Sequence, residues 1–202
     1  MAVIPLTRQR RRELTRDALI EAAAELFAHR GVHAASLDDI AAAAGFTKGA
    51  IYSNFGSKED LLLAVVEERG DQMLAMMWHA HQSSETYQAQ DPAQAADLWR
   101  DIVARDQDLQ LLRLELRLFA MREPSLRPKL AQVQRRQHRK ASEFLRREAA
   151  SAGYELRWPA EDVAAILIAL TEGLLLNAAI DPCLQAAQVN QFQQLLALLK
   201  TM

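Results

Sequence analysis

The chain has 202 residues, half of them hydrophobic, with 7 glycines, 6 prolines and a formal charge of −2. That length can bury one large core or two small ones. Abundant Ala, Leu, Arg, Gln and Glu without β-branched alternation excludes a sheet protein and favours a nearly all-helical one.

A net charge near zero does not announce a nucleic-acid binder, but its distribution leaves room for a local basic surface. Residues 1–58 carry 8 Lys/Arg against 6 Asp/Glu, and residues 59–202 carry 16 against 20. The single cysteine, Cys183, permits no internal disulfide and suits a reducing compartment. After Pro182 it is expected to be a small apolar filler rather than a thiol sensor. Met1 to Leu6 is too short for a secretory core and its arginines follow rather than precede it, so no export signal is expected.

In chain order, Arg8, Arg10, Arg11 and Arg12 come first. They are either an arm that follows phosphates or enters a minor groove, or the frayed start of the first helix. That helix is expected from Thr15, as its cap, to Arg30, with Leu19, Ala22, Ala23, Leu26 and Phe27 on one face and Gly31 as its stop. Ser36 followed three residues later by Asp39 is a capping-box variant that opens a short helix with Leu37, Ile40 and Ala41 inside. Gly45 supplies a left-handed turn, Phe46 is expected to drop into the core, and Thr47 caps a second short helix. Ile51 and Phe55 fall on one side of it, leaving Thr47, Lys48, Gly49, Tyr52, Ser53 and Asn54 for the other.

A short helix presenting donors, acceptors and a glycine is what a DNA major groove admits. Glycine in a helix costs about 1 kcal/mol relative to alanine, a penalty that makes sense where another backbone must approach. Ser57-Lys58-Glu59-Asp60 repeats the cap pattern. It puts Lys58 in a first helical turn, where a cation is disfavoured unless a phosphate sits beside it.

Thr15-Arg16, Ala22 to Phe27, Gly31, Ser36 with Ile40-Ala41, Ala44-Gly45, Thr47 to Phe55 and Ser57 to Leu61 together resemble the tetracycline-repressor (TetR) family of bacterial one-component regulators. The likeness covers about Arg10 to Val66. It implies that Ser36, Thr47, Tyr52 and Lys58 contact phosphates and that Lys48, Gly49, Ser53 and Asn54 approach bases. Ser53-Asn54 stand where many members carry an aromatic-histidine pair, a departure that bears on base preference. The expected architecture is all-α. Residues 1–56 form a three-helix helix-turn-helix DNA-binding domain, and residues 57–202 a helical effector-binding and dimerisation domain.

A fourth helix is expected from Ser57 to about Ser83, with Leu61, Leu62, Val65 and Val66 completing the core of the head and the far end at Trp78 acting as a lever. His79 and His81 are two apart and cannot chelate one ion, so no metal site is expected. A loop at residues 82–92 leads to helices at about Ala93–Arg105 and Asp106–Arg122. The second of these is apolar nearly all round and is expected to be central and buried. Arg113 and Arg117 lie on it four apart and need a carboxylate such as Glu143 or Glu172, or an anionic effector, with the protein partner favoured.

The next helix, to about Ser151, carries Arg135, Arg136, Arg139, Lys140, Arg146 and Arg147 as a solvated face rather than a DNA surface. Val163 to Ile180, with Glu172 at its middle, is expected to be a buried soluble helix and not a membrane span. The last helix, about Val189–Lys200, presents Phe192, Leu195, Leu196 and Leu199. These last two helices would expose a large apolar surface that pairing with a second copy buries as a four-helix bundle. Ala164 to Leu176 is loosely similar to effector domains of the same family.

The expectation is a cytoplasmic homodimeric transcriptional regulator, with repression favoured over activation. It binds a pseudo-palindromic operator in double-stranded DNA and releases it when a small molecule of unknown identity enters the C-terminal domain. Trp78, Trp99, Arg113, Arg117, Phe119, Met121 and His138 are candidates for that pocket. No hydrolase elbow, phosphate loop or nucleophile-base pairing is visible, so neither catalysis nor a cofactor is expected. The alternative is a helical enzyme or adaptor with a non-functional head.

Overall fold

The computed structural model describes residues 7–83, 91–103, 107–181, 183 and 185–201. Their elements are α1 (Arg8–Ala34), α2 (Leu37–Ala43), α3 (Lys48–Phe55), α4 (Lys58–Ser83), α5 (Pro92–Val103), α6 (Gln107–Arg122), a 3-10 turn (Pro124–Leu126), α7 (Arg127–Ala152), β1 (Glu155–Leu156), α8 (Ala160–Ile180), α9 (Gln185–Leu198) and β2 (Lys200–Thr201). The chain divides into two compact units. One runs to Arg69 and takes in Leu111–Leu130; the other consists of Gly70–Gln110 and Ala131–Met202.

In the first unit α1 is longer than its periodicity predicts. Thr7, not Thr15, is the cap and accepts from the Arg10 amide at 3.2 Å, while the Thr15 hydroxyl donates to the Arg11 carbonyl at 2.9 Å. The early arginines therefore belong to the helix and form no separate arm. Gly31 breaks α1 at φ 75. The Val32 amide freed there donates to Glu115 Oε2 at 3.2 Å, a carboxylate from α6.

The core of this unit contains Leu19, Phe27, Ile40, Ile51, Leu61 and Val65, all essentially inaccessible. Leu112, Leu116, Ala120 and Leu126 are buried in the same unit. A three-helix head of this size has a meagre core by itself, and these side chains enlarge it. The six residues Leu61 to Val66 are consecutively buried, which a helix shows only when covered on every side. Lys129 reaches Asp60 at 2.7 Å, tying the start of α7 to α4.

Two expectations about buried faces fail. Phe46 is 39% exposed, so the turn after α2 does not carry it into the core. On α6, Leu109, Leu112, Leu116 and Ala120 are buried, but Leu111 and Leu118 are exposed and Met121 is 69% exposed. Among the described residues of α6 the buried side chains fall on one face, so its all-round apolarity does not bury it.

In the second unit α5 and α9 pack together around Ala96, Leu174, Leu175 and Phe192, with Met73, Met77 and Leu196 alongside. After α7, β1 pairs antiparallel with β2, Glu155 opposite Thr201 and Leu156 opposite Lys200. This two-residue clip is too short to leave a periodic signal in sequence. Helix α8 is long and apolar enough to cross a membrane by length and composition, yet only 28% of its most apolar stretch is buried within the chain. The expected burial of this helix is thus not met by one copy, and Ile166 and Ile180 stand in the open. Cys183 is likewise exposed, with its amide donating to Asp181 Oδ1 at 3.0 Å, so it fills no core. Residues 84–90 of the expected loop, Arg105, Asp106 and Pro182 lie outside the described residues.

Candidate nucleic-acid interface

The opening of α2 is built as its sequence requires. Ser36 Oγ accepts from the Asp39 amide at 3.0 Å, and its own proton goes to Asp39 Oδ2 at 2.8 Å. Arg30 stands 3.5 Å from the same carboxylate. The Ser36 hydroxyl, then the backbone, then Arg30 hold the Asp39 carboxyl below its usual range.

At the other end Gly45, at φ 74, lets the Phe46 amide reach the Ala41 carbonyl at 2.8 Å and its own amide reach Ala42 at 3.1 Å. That pair of bonds closes α2 in a Schellman turn and fixes the direction in which α3 departs.

Helix α3 has 8 residues, and Ile51 and Phe55 anchor it in the core. Arg16 lies 4.6 Å from the centre of the Phe55 ring, and Arg12 donates to the Ser53 carbonyl at 3.4 Å, so α1 also braces α3. Thr47 occupies the cap position with extended backbone but makes no capping bond through its side chain. Lys48, Gly49, Tyr52 and Ser53 are exposed. At 51% exposure Tyr52 is no core residue.

Lys48 Nζ meets Asp38 Oδ2 at 2.9 Å across the turn. This bond, and then the carboxylate's charge, raise the lysine pKa. Ser53 Oγ and the half-buried Asn54 Nδ2 both bond back to the Ala50 carbonyl, at 3.0 and 2.8 Å. Ser57 caps α4 through the Asp60 amide at 3.0 Å, and Lys58, half-buried, donates to the His33 carbonyl at 3.4 Å. Asp38 stands out in no sequence spacing, and Arg12 only as part of a basic run, because the partners of both depend on interhelical angles that a linear pattern does not encode.

The second unit holds a cavity of about 350 Å3 whose walls include Asp71, Trp78, Lys140, Glu143, Phe144 and Arg147. Trp78 meets Phe144 edge to face, with ring centres 6.1 Å apart. Of the seven pocket candidates Trp78 lines this cavity. Arg113, Arg117 and Phe119 are half-buried and Met121 exposed, all within the first unit; His138 is half-buried in the second. The side chain of Trp99 lies outside the described residues.

A short polar helix, held by a tight turn on an all-helical head with a capped helix following, defines a helix-turn-helix protein. The family model for bacterial regulatory proteins of the tetR family matches residues 19–65, and that for the tetracyclin repressor-like C-terminal domain matches residues 90–202. The chain belongs to the TetR family.

Over 64 residues it is 42% identical to the transcriptional activator FasR of Mycolicibacterium smegmatis, covering 32% of this chain and 29% of that protein. Over 57 residues it is 47% identical to the regulator SrpR of Pseudomonas putida, covering 28% of this chain and 27% of that one. The chain thus matches under a third of the length of these curated relatives. Among solved structures, a TetR-family regulator from Rhodococcus sp. superimposes with a TM-score of 0.72 at 21% identity, covering 94% of this chain and 100% of that one. The multidrug binding protein EbrR, complexed with imidazole, gives 0.67 at 21% identity, covering 99% and 98%.

Proposed function

We propose that the protein is a homodimeric DNA-binding transcriptional regulator of the cytoplasm, a repressor that releases a pseudo-palindromic operator when a small molecule binds. The observation that carries this is the open polar face of α3, where Lys48, Gly49, Tyr52 and Ser53 are exposed while Ile51 and Phe55 hold the helix down. Residues 1–56 serve as the DNA-binding part and 57–202 as the effector-binding and dimerisation part, α4 running from one compact unit into the other. Ser36, Thr47, Tyr52 and Lys58 engage phosphates, and Lys48, Gly49, Ser53 and Asn54 face base edges in the major groove.

The cavity beside Trp78 and Phe144 is the effector site. An effector acts by binding the DNA-incompetent form more tightly, by about 1–3 kcal/mol. Dimerisation runs through α8 and α9 and sets the two copies of α3 one helical turn of DNA apart, about 34–36 Å.

The test is a salt titration of binding to a selected duplex and to random duplex. Lys58→Ala weakens both and flattens the salt slope by about one unit. Unchanged affinity for both duplexes, with the slope unaltered, removes Lys58 from the DNA surface and returns it to a bond with the His33 carbonyl.

A further inference from the structure

We propose that Asp38 and Lys48 act as one unit that reads a single G·C base pair in each half-site, with the purine on the strand that faces Lys48. The proposal rests on α3 being the DNA-reading helix. The observation behind it is that the two side chains meet at 2.9 Å across the turn while both remain open to solvent, 45% exposed for Lys48 and 69% for Asp38.

Asp39, the neighbouring carboxylate, is already committed to Ser36 and Arg30. Asp38 is therefore the one that α2 offers to the recognition helix. The turn between α2 and α3 is closed by two backbone bonds, so donor and acceptor are held on separate helices whose mutual direction is fixed. Gly49, next to Lys48, carries no side chain and is exposed.

A carboxylate at a DNA surface is repelled by phosphates; pairing with Lys48 offsets that charge, and base edges offer amino groups from which it can accept. In the major groove each Watson–Crick pair shows a central acceptor and a central donor that are bonded to each other at about 2.9–3.0 Å. An ammonium and a carboxylate at the same separation match them, Lys48 donating to the acceptor and Asp38 accepting the outward hydrogen of the amino group.

The order of donor and acceptor discriminates. G·C and T·A present acceptor then donor, whereas A·T and C·G present the reverse, which would set Lys48 against an amino group and Asp38 against a carbonyl. Between the two that fit, guanine adds N7 beside O6 as a second acceptor for the ammonium, while thymine puts a methyl group there. Asp38 thus fixes the orientation of the pair and Lys48 chooses G·C over T·A.

Selection of bound duplexes from a random pool tests this, run with the unaltered protein, Asp38→Ala and Lys48→Ala, each variant first shown to melt like the parent. The parent is expected to enrich a pseudo-palindrome with one strongly preferred G·C pair per half-site. Asp38→Ala is expected to lose about ten- to hundredfold discrimination against C·G and A·T at that position alone. It should also gain affinity for random duplex, because a repelling charge is gone and Lys48 is free to take a phosphate. Lys48→Ala should lose the preference for G over T there.

If Asp38→Ala selects the same bases with the same preferences as the parent, the paired reader is wrong while DNA binding stands. If the parent enriches nothing over random duplex, the regulator itself is wrong and the pair falls with it.

Discussion

A Cβ added at Gly49 would meet Thr47 Oγ1 at 3.6 Å, an ordinary contact, and the backbone there is helical. The fold therefore has no use for glycine at this position, and alanine is the better helix former by up to about 1 kcal/mol. Gly49→Ala should raise the urea midpoint of unfolding. It should weaken duplex binding at least about tenfold, or 1.4 kcal/mol, because the new methyl group stands where a base edge must approach. A gain in both properties would mean that α3 does not lie close in a groove.

Tyr154 marks a different residue-scale effect, in the second unit. Burial first, and the nearby Glu148 charge second, push its phenol from 10.0 up to about 12. A raised value means that the folded chain holds this proton more tightly than the unfolded chain does. The associated stability is whole below pH 10 and is lost as pH climbs towards 12. Tyr154→Phe should flatten the fall of the unfolding midpoint across that interval, and an unchanged pH profile would contradict the assignment.

At the scale of elements, the break in α1 depends on α6. Gly31 turns the chain out of helix, and the amide of Val32 then finds the Glu115 carboxylate. Glu115→Ala leaves that half-buried amide without its partner, so a loss of about 1–3 kcal/mol is expected in denaturant unfolding. A change below a few tenths would show that water replaces the carboxylate freely.

This contact also shows where the sequence stopped being readable. The caps at Ser36 and Ser57, the turn at Gly45 and the inward pair Ile51 and Phe55 are local patterns, and each can be read from a few neighbouring residues. Glu115 with Val32, Lys129 with Asp60 and Asp38 with Lys48 join residues 83, 69 and 10 apart, respectively. Such partners follow from interhelical angles, so the ties that complete the head, and the acidic half of the proposed base reader, left no mark in periodicity. The all-round apolarity of α6 misled for the same reason: composition records how apolar a helix is, not how many neighbours it has.

For the whole molecule the decisive surface is α8. One copy leaves Ile166 43% exposed and Ile180 84% exposed on a helix of 21 residues that carries few charges. Burying an isoleucine side chain fully is worth about 1.5–3 kcal/mol, and in a two-fold interface every residue counts twice. A second copy laid along α8 and α9 would recover the exposed share of that at each such side chain, twice over by symmetry. Ile166→Glu would put a carboxylate from each copy into that apolar seam.

Sedimentation should then report a dimer for the parent and a monomer for the variant at micromolar concentration. The variant's recognition helices should still bind random duplex weakly, with a salt slope about half that of the parent, while its preference for a palindrome disappears because nothing holds two half-sites in register. If the variant sediments as the parent does, the pairing surface lies elsewhere. The exposed stripe of α6, Leu111, Leu118 and Met121, is the next apolar face to alter.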